Sequence, residues 1–178
     1  MASIEVPDLN IPVTKTILVM HEDIGSFSIE DAILSIEALC GSSDDLPVIA
    51  WIKREESTLI VRNNSVHKDS QKLFHAEIRC MLDLAVDSAP LPSLHLHTTL
   101  EPCAMCVSAA AHFRIEKITY YCRDPVVGSA TKCPQQLWYQ EHWPSIELND
   151  IYEERIKRLI RQHMSSKGRW AACLELFD

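Results

Sequence analysis

Phe74-His75-Ala76-Glu77-Ile78 and Thr99-Leu100-Glu101-Pro102-Cys103-Ala104-Met105-Cys106 are the stretches around which this 178-residue chain is organised. A histidine and a glutamate two residues apart, followed by Pro-Cys-x-x-Cys, supply three ligands of the kind zinc prefers and one carboxylate that does not bind the metal. Three protein ligands leave the fourth position of a tetrahedral ion open for water, the mark of a catalytic zinc. Cys103 and Cys106 stand at i and i+3 at the start of a predicted helix, so both sulfurs leave one face, where the positive helix end favours thiolates. His75 opens a second predicted helix, so an ion would tie two helix N-termini together. Glu77 is near enough to take a proton from the water. A structural zinc site would instead need a fourth ligand, from Cys80, Cys122 or Cys133.

Working outward, Ser28 followed by Asp31 reads as a helix N-terminus, with Ile29, Ile33, Ile36 and Cys40 at helical spacing until Gly41. Pro47 to Ile52 reads as a strand buried on both faces and Thr58 to Val61 as its hairpin partner. A helix is predicted from Leu73 to Ala85 with Ile78, Met81, Leu82 and Ala85 on its apolar face. Leu94-His95-Leu96-His97-Thr98-Thr99-Leu100 alternates with period two and leads into the second motif. A helix rich in small residues (Ser108 to Ala111) follows, then strands at Lys117–Cys122 and Ser145–Leu148, separated by a long loop from Arg123 to Pro144. Asp150 is expected to cap a last helix that Gly168 ends. His95 and His97 share one strand face, and His112 reads as a core histidine. Met1 to Phe27, with an apolar extended run at Ile11–Met20, reads as an N-terminal extension (1–27) before one domain (28–178). The order predicts a three-layer α/β/α sandwich with a mixed five-stranded sheet.

Composition agrees with one globular domain: 47% of residues are hydrophobic and 24% charged. No apolar run approaches a membrane span and the N-terminus lacks a signal-peptide pattern, so the expected location is cytoplasmic. Apart from the motif pair, five cysteines (Cys40, Cys80, Cys122, Cys133, Cys173) read as reduced thiols, mostly buried. A formal net charge of −8 argues against a large phosphate-binding surface. Ile151 to Trp170 is the exception, at +4 against −12 for the remainder; this is a solvated helix face or an RNA contact.

His-x-Glu followed by Pro-Cys-x-x-Cys is the signature of zinc deaminases, and the chain resembles the cytidine deaminase superfamily, in the branch that holds tRNA adenosine deaminases, cytosine deaminases and guanine deaminases. The resemblance runs from about Ser28 to Met164. Pro47-Val48 looks like the family's Pro-Val-Gly strand, with Ile49 where glycine is usual. Asn64 falls where the family places a substrate-binding asparagine, the alternative being a turn residue. Thr99 to Cys106, Ala111 to Ile115 and Arg123-Asp124 through Gly128 are most similar to bacterial tRNA adenosine deaminases. Val61-Arg62-Asn63-Asn64 departs from the glycine-flanked approach of many relatives, and Ser129–Trp143 does not resemble the corresponding loop of the tRNA enzymes. The tail resembles that of fungal cytosine deaminases, so Trp170 and Phe177 either close over a base or pack on the core.

The resemblance implies Zn2+ on His75, Cys103 and Cys106, proton transfer by Glu77, and substrate contacts from Asn64, Asp124, Trp170 and the backbone near Ala76 and Cys103. It implies hydrolytic deamination of a purine or pyrimidine. Acidic charge and an aromatic-rich loop and tail favour a small base or nucleoside over the alternative, adenosine in a tRNA. Homodimerisation is also implied. From another class, the chain would be a non-catalytic zinc-stabilised partner subunit, against which Glu77 argues.

Overall fold

The computed structural model describes residues 25–84, 93–168 and 170–177. The apolar run Ile11–Met20 and the 1–27 extension up to residue 24 lie outside the described residues, as does Ala85. The elements are α1 (Ile29–Leu39), β1 (Ile49–Arg54), β2 (Ser57–Asn63), α2 (Ala76–Leu84), β3 (Leu94–Thr98), α3 (Ala104–His112), β4 (Lys117–Tyr120), α4 (Leu137–His142), β5 (Ser145–Leu148), α5 (Glu153–Lys167) and α6 (Ala171–Leu174). Single 3-10 turns precede α5 and follow α6.

The sheet has the order β2-β1-β3-β4-β5. β1 is antiparallel to both β2 and β3, whereas β3, β4 and β5 run parallel, so the sheet is mixed as predicted. β1 is buried from Ile49 to Ile52, which is why that stretch reads as a continuous apolar run. α2 and α3 pack together on one face; α1 and α5 pair with each other on the opposite side. The carboxyl end of β3 therefore opens between the beginnings of α2 and α3.

α1 shows how local and tertiary terms divide. Ser28 and Asp31 form a reciprocal capping box, worth about 0.5–2 kcal/mol. An isolated 11-residue helix is marginal in water all the same. Ala32, Ile33 and Ile36 are fully buried, and each isoleucine contributes about 1.5–3 kcal/mol, so packing decides the matter. At the far end of α5, Gly168 takes φ +66°, a left-handed conformation that stops the helix.

Three sequence expectations need correction. The buried face of α2 is Ala76, Glu77, Cys80, Met81 and Leu84, while Leu82 is 55% exposed; the helix starts at Ala76 and not Leu73, and the stripe turned inward is the one that packs against β1, β2 and α3. Asp150 does not cap α5: Asn149 caps the 3-10 turn that leads into it, its side chain accepting from Ile151 N, and α5 itself begins after Tyr152 with no side-chain cap. The long loop contains α4, whose Trp138 stacks on His112 at 4.3 Å, so His112 is an exposed residue under an aromatic ring and not a core histidine.

On the sheet face away from α2, His97 stacks on Trp51 (4.9 Å) and lies beside His95 (3.9 Å between centroids). His97 Nδ1 meets the Tyr121 hydroxyl at 3.0 Å, and His95 Nε2 meets Thr119 Oγ1 at 2.8 Å. Burial, with Lys117, lowers His95 to about 4; burial, with the neighbouring His95, lowers His97 to about 3. Both rings are neutral in the fold. Below about pH 6.5 the unfolded chain takes up protons that the folded chain refuses, so this contribution is complete above pH 6.5 and is lost as pH falls toward 4. We expect Tm to fall between pH 7.5 and 5, and to fall less in His97→Phe; an equal drop in both proteins would contradict the assignment.

Candidate active site

α2 begins where the His75 carbonyl accepts from Arg79 N at 3.0 Å, and Cys103 is the N-cap of α3. These two starts bring the three ligands together. His75 Nδ1 lies 3.7 Å from Cys103 Sγ and 3.6 Å from Cys106 Sγ, and the sulfurs are 3.6 Å apart. A tetrahedral zinc with Zn–S of about 2.3 Å and Zn–N of about 2.0–2.1 Å requires separations of about 3.6–3.8 Å. The three residues fit the ion. Among the described residues no fourth side chain joins them. Cys80 Sγ points to Ala50 O and Cys122 Sγ to Arg123 O, while Cys133 is exposed. Of the two motif thiols, Cys103 ionises first: the hydrogen bond from Cys106 pulls it down to about 4, against its burial.

Glu77 is 3% exposed, and its Oε1 accepts from Thr98 Oγ1 at 3.1 Å. Burial pushes its carboxyl above the ordinary range, against its backbone hydrogen bond and the nearby His75. Oε2 lies 3.6 Å from Cys106 Sγ, placing the carboxylate on the ligand cluster without making it a ligand.

These groups open into a cavity of about 260 Å³. Asn64 lines it; its Oδ1 accepts from Ala76 N at 3.1 Å, which leaves Nδ2 as a donor. Ala76 is not in the wall, and its amide is spent on that bond. Asp124 lines the cavity, 8% exposed, with Oδ1 accepting from Val126 N (2.8 Å) and Val127 N (3.1 Å). Burial raises its carboxyl despite those two bonds. Trp170 and Phe177 both line the cavity and also pack on the core. Trp138, Tyr139 and Trp143 are not in the wall: α4 docks on the end of α3 instead. The loop aromatics therefore say nothing about the ligand.

Sequence reasoning missed Asp45, Met164, Val126 and Val127 in the wall. It missed Thr98 as the partner of Glu77, although the period-two alternation of β3 places Thr98 on the face opposite His95 and His97. It also missed Glu101, whose Oε2 accepts from Asp124 N (3.2 Å) and Oε1 from Ala130 N (3.1 Å), fastening the Asp124–Val127 turn to the second motif.

Residues 29–122 match the family model for the cytidine and deoxycytidylate deaminase zinc-binding region. The chain belongs to this deaminase family. A tRNA-specific adenosine deaminase of Rickettsia bellii is 33% identical over 92 residues, 49% of this chain and 63% of that protein. The match thus spans less than two thirds of the relative. A solved structure from a study of A-to-I editing by tRNA:A34 deaminases at the wobble position of transfer RNA superimposes with TM-score 0.60 at 25% identity, over 68% of this chain and 95% of the other. The guanine deaminase of Nitrosomonas europaea shares the fold, with TM-score 0.60 at 17% identity over 80% and 87% of the two chains. The matched residues 29–122 thus contain α2, which His75 precedes and which carries Glu77, and α3, which Cys103 caps and which carries Cys106.

Proposed function

We propose that this chain is a zinc-dependent hydrolase that removes the exocyclic amino group of a purine or pyrimidine base or nucleoside, releasing ammonia. One observation carries the reading: a three-ligand metal site and the buried Glu77 converge on a cavity of about 260 Å³ partly walled by the chain's own tail, Met164, Trp170, Cys173 and Phe177. That volume lies below the roughly 300–1,000 Å³ of drug-sized pockets and suits one base or nucleoside. Among the described residues no lysine or arginine lines it, whereas Asp45, Glu77, Glu101 and Asp124 do, which disfavours a phosphorylated ligand. Three of the six cations of the +4 segment are engaged within the chain: Arg155 pairs with Glu37 (2.7 Å), Lys167 with Asp44 (3.3 Å), and Arg161 donates to Phe177 O (3.5 Å).

Zinc held by His75, Cys103 and Cys106 supplies Lewis acidity and lowers the pKa of a water. Glu77 accepts one proton from the attacking water and gives it to a ring nitrogen, then carries the proton of the hydroxyl formed at the ring carbon to the departing amine, so that ammonia leaves as the carbon–nitrogen bond breaks and a carbonyl remains. A raised carboxyl pKa suits a group that must both accept and give the proton. Asn64 Nδ2 donates to the ring, Asp124 accepts from it, and Trp170 offers a flat apolar face. The same reading takes residues 28–178 as the domain, preceded by an extension, in a cytoplasmic homodimer.

The second reading is deamination of adenosine in a tRNA, favoured by the match to the Rickettsia protein. Ammonia release by the zinc-loaded protein from free bases, nucleosides, nucleotides and an adenosine-bearing anticodon stem-loop separates the two. We expect turnover of a base or nucleoside with KM changing less than about twofold between 50 and 200 mM salt. RNA binding through 6–10 phosphates would lose about 10³–10⁵ in affinity over that range. Turnover of the stem-loop alone would establish the second reading, and no turnover on any amine would leave the partner-subunit alternative.

A further inference from the structure

Asp45, in the connection between α1 and β1, is 2% exposed and lines the cavity. A carboxylate buried so deeply is costly unless its oxygens are satisfied. Oδ1 accepts from His67 N at 2.6 Å and Oδ2 from Lys68 N at 3.1 Å, both in the turn that follows β2. Asp45 N in turn donates to Ser43 Oγ at 3.0 Å, and Asp44 receives Lys167 Nζ at 3.3 Å. One short segment therefore ties together the Leu46–Val48 wall, the Val66–His67 wall and the end of α5, where the tail bearing Trp170 departs. Asp45 is spent on backbone amides and has no part in proton transfer.

We propose that Asp45 is a positioning residue for substrate recognition: by holding the His67 and Lys68 amides it sets the spacing between the Leu46–Val48 and Val66–His67 walls, and with it the base or nucleoside that fits. This rests on the reading of the cavity as a base or nucleoside site. A carboxylate that merely stabilised the fold would change Tm and leave recognition alone.

The test compares the full-length, zinc-loaded parent with Asp45→Asn, which keeps the side chain's size but turns an amide donor toward a backbone donor. Hydrogen exchange at the His67 and Lys68 amides is measured together with kcat and KM on adenine, cytosine, guanine, their nucleosides and an anticodon stem-loop. We expect exchange at both amides to quicken about tenfold, KM to rise about fivefold to tenfold, kcat to stay within about twofold, and zinc content to be unchanged. Unchanged exchange, or a lower Tm with KM unaltered, overturns the proposal. If the parent turns over the stem-loop alone, the base or nucleoside reading fails, and KM for the stem-loop then decides on Asp45. If the parent turns over nothing, the base or nucleoside reading fails, and the proposal, which rests on it, is overturned with it. Should Asp45→Asn not fold, Asp45→Glu keeps both acceptors on a longer arm; a KM shift at constant kcat supports the proposal there, and an unchanged KM overturns it.

Discussion

Glu77→Ala is expected to lower kcat about 10²–10⁴-fold, the range for loss of a general acid–base, with zinc content unchanged. The carboxylate is not one of the three ligands, which stand 3.6–3.7 Å apart without it, so the metal has no need of it. Its removal leaves Thr98 Oγ1 without the acceptor it holds at 3.1 Å and opens a small void beside Cys106. The substitution also relieves a buried carboxyl, so stability changes little in either direction. Zinc analysis and turnover should be read on the same sample. Zinc lost together with activity would make Glu77 part of the metal's support, and retained turnover would remove it from the proposed chemistry.

Gly128→Ala should damage the protein by another route. A Cβ at Gly128 would sit 2.5 Å from Asp124 O and 2.5 Å from the Glu101 carboxylate. Neither neighbour yields cheaply. Asp124 O is backbone and accepts from Gly128 N at 3.1 Å, and the Glu101 carboxylate is pinned by the Asp124 and Ala130 amides. Gly128 also bridges Cys103, and Ser129 N donates to Pro102 O at 3.1 Å. The added methyl therefore pries the Asp124–Val127 wall away from the loop that carries a metal ligand. Overpacking of this kind costs about 1–3 kcal/mol, which for a domain of this size is a Tm loss of about 2–12 °C. KM should rise as well, since Asp124, Val126 and Val127 line the cavity. A melt and a KM equal to the parent's would show that the turn accommodates the methyl.

The two motifs were legible because each element of the chemistry sits at short range. His75 and Glu77 are two residues apart, and Cys103 and Cys106 three apart. The strands were legible for a similar reason: alternation in Leu94–Thr98 and the unbroken apolar run in β1 report which faces are buried. Where the sequence misled, the deciding contact was distant. Leu82 satisfies a helical apolar stripe, but the stripe that is buried is the one packed against β1, β2 and α3. The aromatics of 138–143 look like a ligand wall, yet Trp138 stacks on His112, Tyr139 meets it edge-on, and all stay outside the cavity.

By itself, then, the sequence determined the mixed five-stranded sheet, the family, and the His75, Cys103 and Cys106 cluster with Glu77 beside it, because these depend on residue type at fixed local spacing. Only the tertiary structure decided which residues surround the ligand. Asp45, Met164, Trp170 and Phe177 come from opposite ends of the chain, and no local periodicity marks them; they meet because α1 and α5 pack together, and that packing rests on burial of Ile33, Ile36, Ile156 and Ile160. Hydrophobic burial is non-directional and specifies a core without naming the side chains left at its edge. The shape of the cavity, and so the choice of amine, lives at that edge.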